Sequence, residues 1–180
     1  MKPAHIAILI FLLLGAMVSR ADNTEPDLKA LRQQMLVALN SSATTDSLYN
    51  SLGKLRVKSP VVLGYMGGLD ALKAKHAWNP YSKIRFLSAS ENVLQQAINA
   101  DPHNIEIRFV RFSIEYHLPG FLGMAKNLAD DRDEMIRQLT NKNYGTADKK
   151  LTLNLIKFLI DSKKCSARQT EALHQQLVTL

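Results

Sequence analysis

A single cysteine, Cys165, stands in 180 residues, so no disulfide can form within the chain and packing alone must hold the fold. Flanked by Lys163 and Lys164, it reads as a small residue near a helix boundary rather than as a reactive thiol. No apolar run reaches the roughly twenty residues that a helix needs to cross a hydrocarbon core; the longest, Ile6 to Val18, has thirteen. Metal-binding patterns are also missing. His76, His103 and His117 are scattered, there is no HExxH, and the acidic run Asp130, Asp131, Asp133 and Glu134 lacks the glycine and spacing of a calcium loop. Acids that start a helix complement its dipole, which is reason enough for them. The glycines Gly64, Gly67 and Gly68 follow no strand and fit neither a P-loop nor a dinucleotide fingerprint. Ser51 to Lys54 matches S-x-x-K but has none of the other elements of a serine hydrolase. No cofactor, metal or reaction is implied.

What is present begins with an address. Lys2, the apolar run Ile6 to Val18 and the small-residue ending Ser19-Arg20-Ala21 read as a secretory signal peptide over residues 1–21. The expected product is a soluble periplasmic or extracellular protein with no transmembrane segment. N-terminal sequencing of the exported protein should then begin at Asp22, and an intact Met1 would refute the leader. Residues 22–180 make one domain's length, enough to bury a core without staples.

Charge is distributed unevenly over that domain. Residues 54–85 carry Lys54, Arg56, Lys58, Lys73, Lys75, Lys83 and Arg85 against Asp70, a local +6, while residues 86–141 are net acidic. For an exported protein such a patch favours a protein or an anionic glycan, lipid headgroup or other envelope component over nucleic acid. Solvated helix faces are the plain alternative.

Helix signals recur and strand signals are scarce. Thr24 with Asp27 forms a capping box before Leu28, Leu31, Met35 and Leu39, which share one face. A second helix presents Leu48, Leu52 and Leu55 and ends before Pro60; a third spans about 61–77. Its three glycines each cost up to about 1 kcal/mol relative to alanine, a cost that a close helix crossing would offset. Asn79 caps a fourth helix with Pro80 at its first position and Ile84, Leu87, Leu94 and Ile98 facing inward. Later helices are expected at about 129–142, 147–161 and 166–179, the last opened by a Ser166 to Gln169 capping box.

The segment Asn104 to Leu118 alternates like a strand at its start, yet helical spacing organises all of it. Ile105, Phe109, Phe112 and Tyr116 form one apolar face, with Ile107, Val110, Ile114 and Leu118 nearly opposite. Such a helix belongs in the middle of the domain, packed on both sides. Arg108, Arg111 and Glu115 share one polar stripe and Glu106, Ser113 and His117 the other, and these charges must find partners or water.

The run Ala97 to Glu106 resembles the junction between tetratricopeptide-type repeats, where a small residue precedes a proline turn by five positions as Ala97 does Pro102. The remainder of that consensus is not repeated, and Pro60, Pro80, Pro102 and Pro119 recur at 20, 22 and 17 residues. AKHAWNPYSK (74–83), PHNIEIRFVRFS (102–113) and PGFLGMAKN (119–127) resemble motif blocks of a group of uncharacterised exported helical bacterial proteins, a likeness covering about residues 60–135. It implies the fold and the address, with no reaction or ligand to carry over. The expected architecture is all-α: antiparallel helix pairs in a TPR-like, right-handed bundle of about seven to eight helices.

Two places are candidates for contact. Trp78, Asn79 and Tyr81 form an aromatic corner beside Lys75 and Lys83, suited to a sugar ring or a peptide, although aromatics at a helix junction ordinarily pack into the core. The apolar loop 119–124, with Phe121, can line a pocket or simply close the bundle's end, and Arg108 and Arg111 are further binding candidates. The expected function is a scaffold or binding module. The competing reading is a hydrolase or small-molecule carrier with a pocket under the 119–124 loop, in which Glu106, Glu115 and His117 are the acid/base candidates and a buried carboxyl with a raised pKa is the sign to seek.

Overall fold

The computed structural model describes residues 25–180; the expected leader over 1–21 with its expected cleavage point, and Thr24, lie outside the described residues. Among the described residues there are eight α-helices and no strand: α1 (Leu28–Ala38), α2 (Ser42–Gly53), α3 (Pro60–His76), α4 (Pro80–Ala100), α5 (Ile105–His117), α6 (Leu128–Thr140), α7 (Lys149–Asp161) and α8 (Ala167–Thr179). One 3₁₀ turn, Gly120–Leu122, follows α5. None of these helices is long and apolar enough to cross a membrane.

Polar residues set where the helices start. Asp27, Ser41, Ser59, Asn79, Asn104, Asp148 and Ser166 each accept a hydrogen bond from a first-turn backbone N–H, satisfying donors that the helix itself cannot. The Ser166–Gln169 capping box is complete in both directions. At α1 the cap is Asp27 itself, so the helix opens later than a Thr24 cap predicts. The second helix ends at Gly53, well short of Pro60, and residues 54–59 form a connection. The strand-like alternation at Ile105 is overridden: once Asn104 has capped the first turn, the two apolar stripes each find a core.

Those cores explain the sequence of α5. Ile107 is buried and Val110 packed in a cluster built with α1, α2, α3 and α4, through Leu31, Leu48, Val62, Leu69 and Ile98. Ile105, Phe109, Phe112 and Tyr116 belong to a second cluster with Met135, Leu139, Leu155, Ile156, Leu159 and Leu173 of α6, α7 and α8. The middle helix therefore joins two half-bundles by its opposite faces. Ala97, fully buried on α4, packs in the first cluster where the chain turns through Pro102 into α5.

The glycines of α3 make its crossings possible. A Cβ on Gly64 would lie 3.2 Å from Ile107, and one on Gly68 3.2 Å from both Met35 and Val110. At Gly67 it would stand 2.7 Å from Leu94 Cγ and 3.3 Å from the Leu94 backbone nitrogen, so α3 and α4 meet there nearly backbone to backbone. Gly67→Ala is expected to destabilise the protein by about 1–3 kcal/mol through overpacking, despite alanine's better helix propensity. Gly53→Ala, where nothing lies within 4 Å, should be neutral or mildly stabilising. Thermal melts of the two variants check the contrast.

Candidate functional site

Glu106 opens α5 and is buried where α1, α3 and the 141–148 connection converge. Arg32 grips it with two parallel hydrogen bonds, Nε to Oε1 at 2.7 Å and Nη2 to Oε2 at 2.8 Å. The Tyr65 hydroxyl donates to Oε1, and Thr146 Oγ1 donates to Oε2 at 2.7 Å. Burial, with the adjacent carboxylate, pushes the Tyr65 phenol far above its ordinary value, so it stays a donor. The hydrogen bond to Glu106 likewise holds Arg32 charged. A carboxylate with both oxygens doubly engaged is a structural clasp, with no lone pair left to abstract a proton from a substrate.

Arg108 and Arg111 converge on Asp131 of α6, which is 0% exposed. Arg111 binds both its oxygens, Nε to Oδ2 and Nη2 to Oδ1, each at 2.7 Å, while Arg108 Nη1 reaches Oδ1 at 2.7 Å. Arg111 Nη1 also donates to Gln95, and Arg108 Nε to the Pro102 carbonyl. Alongside runs an open groove of about 780 Å³, lined by charges of both signs including Arg108, Arg137, Asp130 and Glu134. Glu134 is bound by His103 at 2.8 Å and by Gln138 and Arg137; burial raises its pKa, but those hydrogen bonds outweigh it and hold the carboxyl below its ordinary value. The groove is polar, whereas a carrier of apolar molecules needs an enclosed apolar cavity.

Glu115 is buried, and burial raises its carboxyl above the ordinary value even though Asn127 opposes the shift with two hydrogen bonds. Those bonds come from the Asn127 backbone N–H at 2.8 Å and its side-chain Nδ2 at 2.7 Å. Asn127 is the N-cap of α6 and makes no side-chain cap of its own, so Glu115 fastens the helix start from outside, where the helix dipole favours a carboxylate. His117 is exposed, its Nδ1 2.7 Å from the Ser113 carbonyl. Eleven residues of one helix separate Glu106 from His117, about 16 Å along its axis. The three acid/base candidates thus do not converge. Nor does the 119–124 loop close the core as a lid: Phe121 is 87% exposed.

The aromatic corner is overturned as a core element. Trp78 is 96% exposed and Tyr81 76%, and Ile84, expected to face inward, is exposed too. Asn79 uses its Oδ1 to accept the Tyr81 N–H at 2.8 Å, and Pro80 begins α4, so the chain reverses with Trp78 at the outer edge of the turn. The end of α1 adjoins this corner. Lys75 Nζ donates to the Leu39 carbonyl at 2.6 Å, and His76 Nε2 lies 3.0 Å from the Ala38 carbonyl. Leu39, whose carbonyl receives Lys75, is itself exposed. Arg85 stays at the surface with its guanidinium over the Phe86 ring, 5.1 Å from the centroid, and Lys83 is half-buried. Lys73 turns inward instead, with Nζ 2.9 Å from the Tyr49 ring centroid and near Asp70.

The structure therefore gathers Lys75, Trp78, Asn79, Tyr81 and Lys83 at one end of the bundle and sets Arg108 and Arg111 apart. Gln95, the partner of Arg111, lies fourteen residues beyond Tyr81 on α4, about 21 Å away. Leu39 and Ile84, assigned to buried faces from their spacing, are members of the exposed corner; a signal for it was the lack of any acidic residue from 71 to 90. Cys165 is partly buried between α7 and α8, its Sγ 3.5 Å from the Leu159 carbonyl, and burial pushes its thiol pKa up, away from reactivity. Among the described residues no group of three or more His, Cys, Asp or Glu is placed to hold a metal ion. No family model, curated protein or solved structure matches the chain.

Proposed function

We propose that this protein is an exported helical binding module, of repeat-like helix-pair construction, that contacts an anionic component of the cell envelope through the Trp78 corner. The observation that carries the reading is the exposure of Trp78 and Tyr81 on a segment with Lys75, Lys83 and Arg85 and no acid. Exposed aromatics on a folded domain forgo burial that would otherwise stabilise it, and partners at interfaces are where such residues recover it. Export rests on the leader sequence.

One observation favours the hydrolase or carrier reading: Glu115 is a buried carboxyl with a raised pKa next to the 119–124 loop. Its two bonds to Asn127 account for it as a fastener of α6, which weakens that reading. Binding to an isolated envelope fraction separates the two. Trp78→Ala with Lys83→Ala should abolish binding while circular dichroism stays helical, and Glu115→Gln or His117→Ala should leave it intact. The reverse pattern would move the site under the 119–124 loop.

A further inference from the structure

We infer that the partner of the Trp78 corner is the surface of an anionic phospholipid bilayer, with Trp78 and Tyr81 entering the headgroup region and Lys83 and Arg85 resting on the lipid phosphates. This deepens the reading above and depends on it. Three observations favour a membrane over a discrete ligand.

The first is the lack of walls. A site for a sugar or a peptide covers most of its ligand and sets polar groups around it, whereas Trp78 and Tyr81 stand out from a helix turn, and the polar group beside them, Asn79 Oδ1, is spent on the α4 cap. A bilayer needs no walls, because the lipid surrounds whatever enters it. The second is chemical type. Trp and Tyr join an apolar ring to a polar N–H or O–H and favour the boundary between water and hydrocarbon. The third is charge. Lys75 and Arg85 are exposed cations and Lys83 a half-buried one, in a stretch that holds no Asp or Glu between Asp70 and Glu91, and the adjoining end of α1 has none between Asp27 and Asp46. Asp46 of α2 lines a small pocket with Lys73, His76, Ala77 and Phe86, so the corner faces an anionic surface with Lys75, Lys83 and Arg85 against that carboxylate and keeps a net positive charge.

Trp78 is the chain's sole tryptophan, so its fluorescence reports this corner alone. The chain from Asp22, which contains every described helix, is mixed with phosphatidylglycerol–phosphatidylcholine vesicles, with phosphatidylcholine vesicles, and with a soluble anionic polysaccharide. The expected result is co-sedimentation with the anionic vesicles, a blue-shifted Trp78 emission, and quenching by lipids brominated in the acyl chain. Phosphatidylcholine alone should give little of either, and raised salt should weaken binding. Lys83→Ala with Arg85→Ala should lower the vesicle partition coefficient by about thirtyfold, the equivalent of roughly 1 kcal/mol for each cation near the surface. Co-sedimentation without a change in Trp78 emission or quenching would overturn the proposal, since the lipid contact would then lie elsewhere. A Trp78 shift with the polysaccharide and none with vesicles would also overturn it while leaving the binding-module reading in place. Binding of the envelope fraction that ignores Trp78→Ala would remove both. Quenching is read on the unaltered chain, so that result does not depend on how a variant folds.

Discussion

Asp131→Ala is expected to cost about 3–5 kcal/mol, the usual loss when one partner of a buried ion pair is removed. In a domain of this length that lowers the thermal midpoint by roughly 6–20 °C. Asp131 is fully buried and is the common acceptor of Arg108 and Arg111. Without it two guanidinium groups face each other beside α6. Arg108, at the groove's edge, can turn to water, but Arg111 is buried and left with Gln95 as its one side-chain partner. The loss is therefore chiefly the cost of stranding Arg111. Two further variants isolate that cause. Arg108→Ala should lose only about 2 kcal/mol, because Arg111 keeps both its bonds to Asp131. Arg111→Leu placed on top of Asp131→Ala should recover part of the loss, since the stranded charge leaves with its partner. A melting point for Asp131→Ala within two degrees of the parent would mean that water already screens the cluster.

Why these partnerships escaped the sequence while the helices did not is a matter of range. Capping is local: Asn79 with Pro80, and Ser166 with Gln169, fix a helix start from adjacent residues, and both occur as their spacing predicts. The periodicity of α5 is local as well. Its two apolar stripes announced a helix packed on both sides, and Ile107 and Phe112 do enter different cores. That each of its charges needs a partner also followed from burial, but the identity of the partner did not, because Glu106 is clasped by Arg32 from 74 residues away and Arg111 by Asp131 from 20. Arg111 and Glu115, one turn apart on a single stripe, turn to different groups, the second to Asn127.

The exposure of the corner was not legible from spacing for a related reason. Whether Trp78, Tyr81 and Ile84 are buried depends on how far neighbouring helices extend past the α3–α4 turn, a property of tertiary packing. Spacing alone put Ile84 on the inner face with Leu87, and only Leu87 is buried there. The charge pattern carried the better clue: a basic stretch without an acid stays in water unless something covers it, so the aromatics between its lysines were apt to stay there too.

Phe112→Ala should also remove about 3–5 kcal/mol, the range for truncating a core phenylalanine, because the deleted ring leaves a cavity that its neighbours fill only in part. Phe112 is 0% exposed. It meets Phe158 of α7 edge to face with centroids 6.1 Å apart, and lies nearly parallel to Tyr116 at 6.4 Å. Phe109 also packs on Phe158, at 5.4 Å, but is only partly buried at the margin of the second core. The two phenylalanines share a face of α5 but not a depth, so their costs should differ. Phe109→Ala should lose about 2 kcal/mol, closer to the transfer of a partly covered ring than to the opening of a cavity. Both rings contact the same partner on α7, so the double variant should fall short of the sum of the singles. Since α5 joins the two half-bundles through opposite faces, loss of Phe112 should loosen the α6–α8 half first, and hydrogen exchange should show protection falling in α7 before α3. Equal loss of protection in both halves would mean that the two cores unfold as one unit, and a shift of only a degree or two in the melt would mean that α5 does not carry the second core.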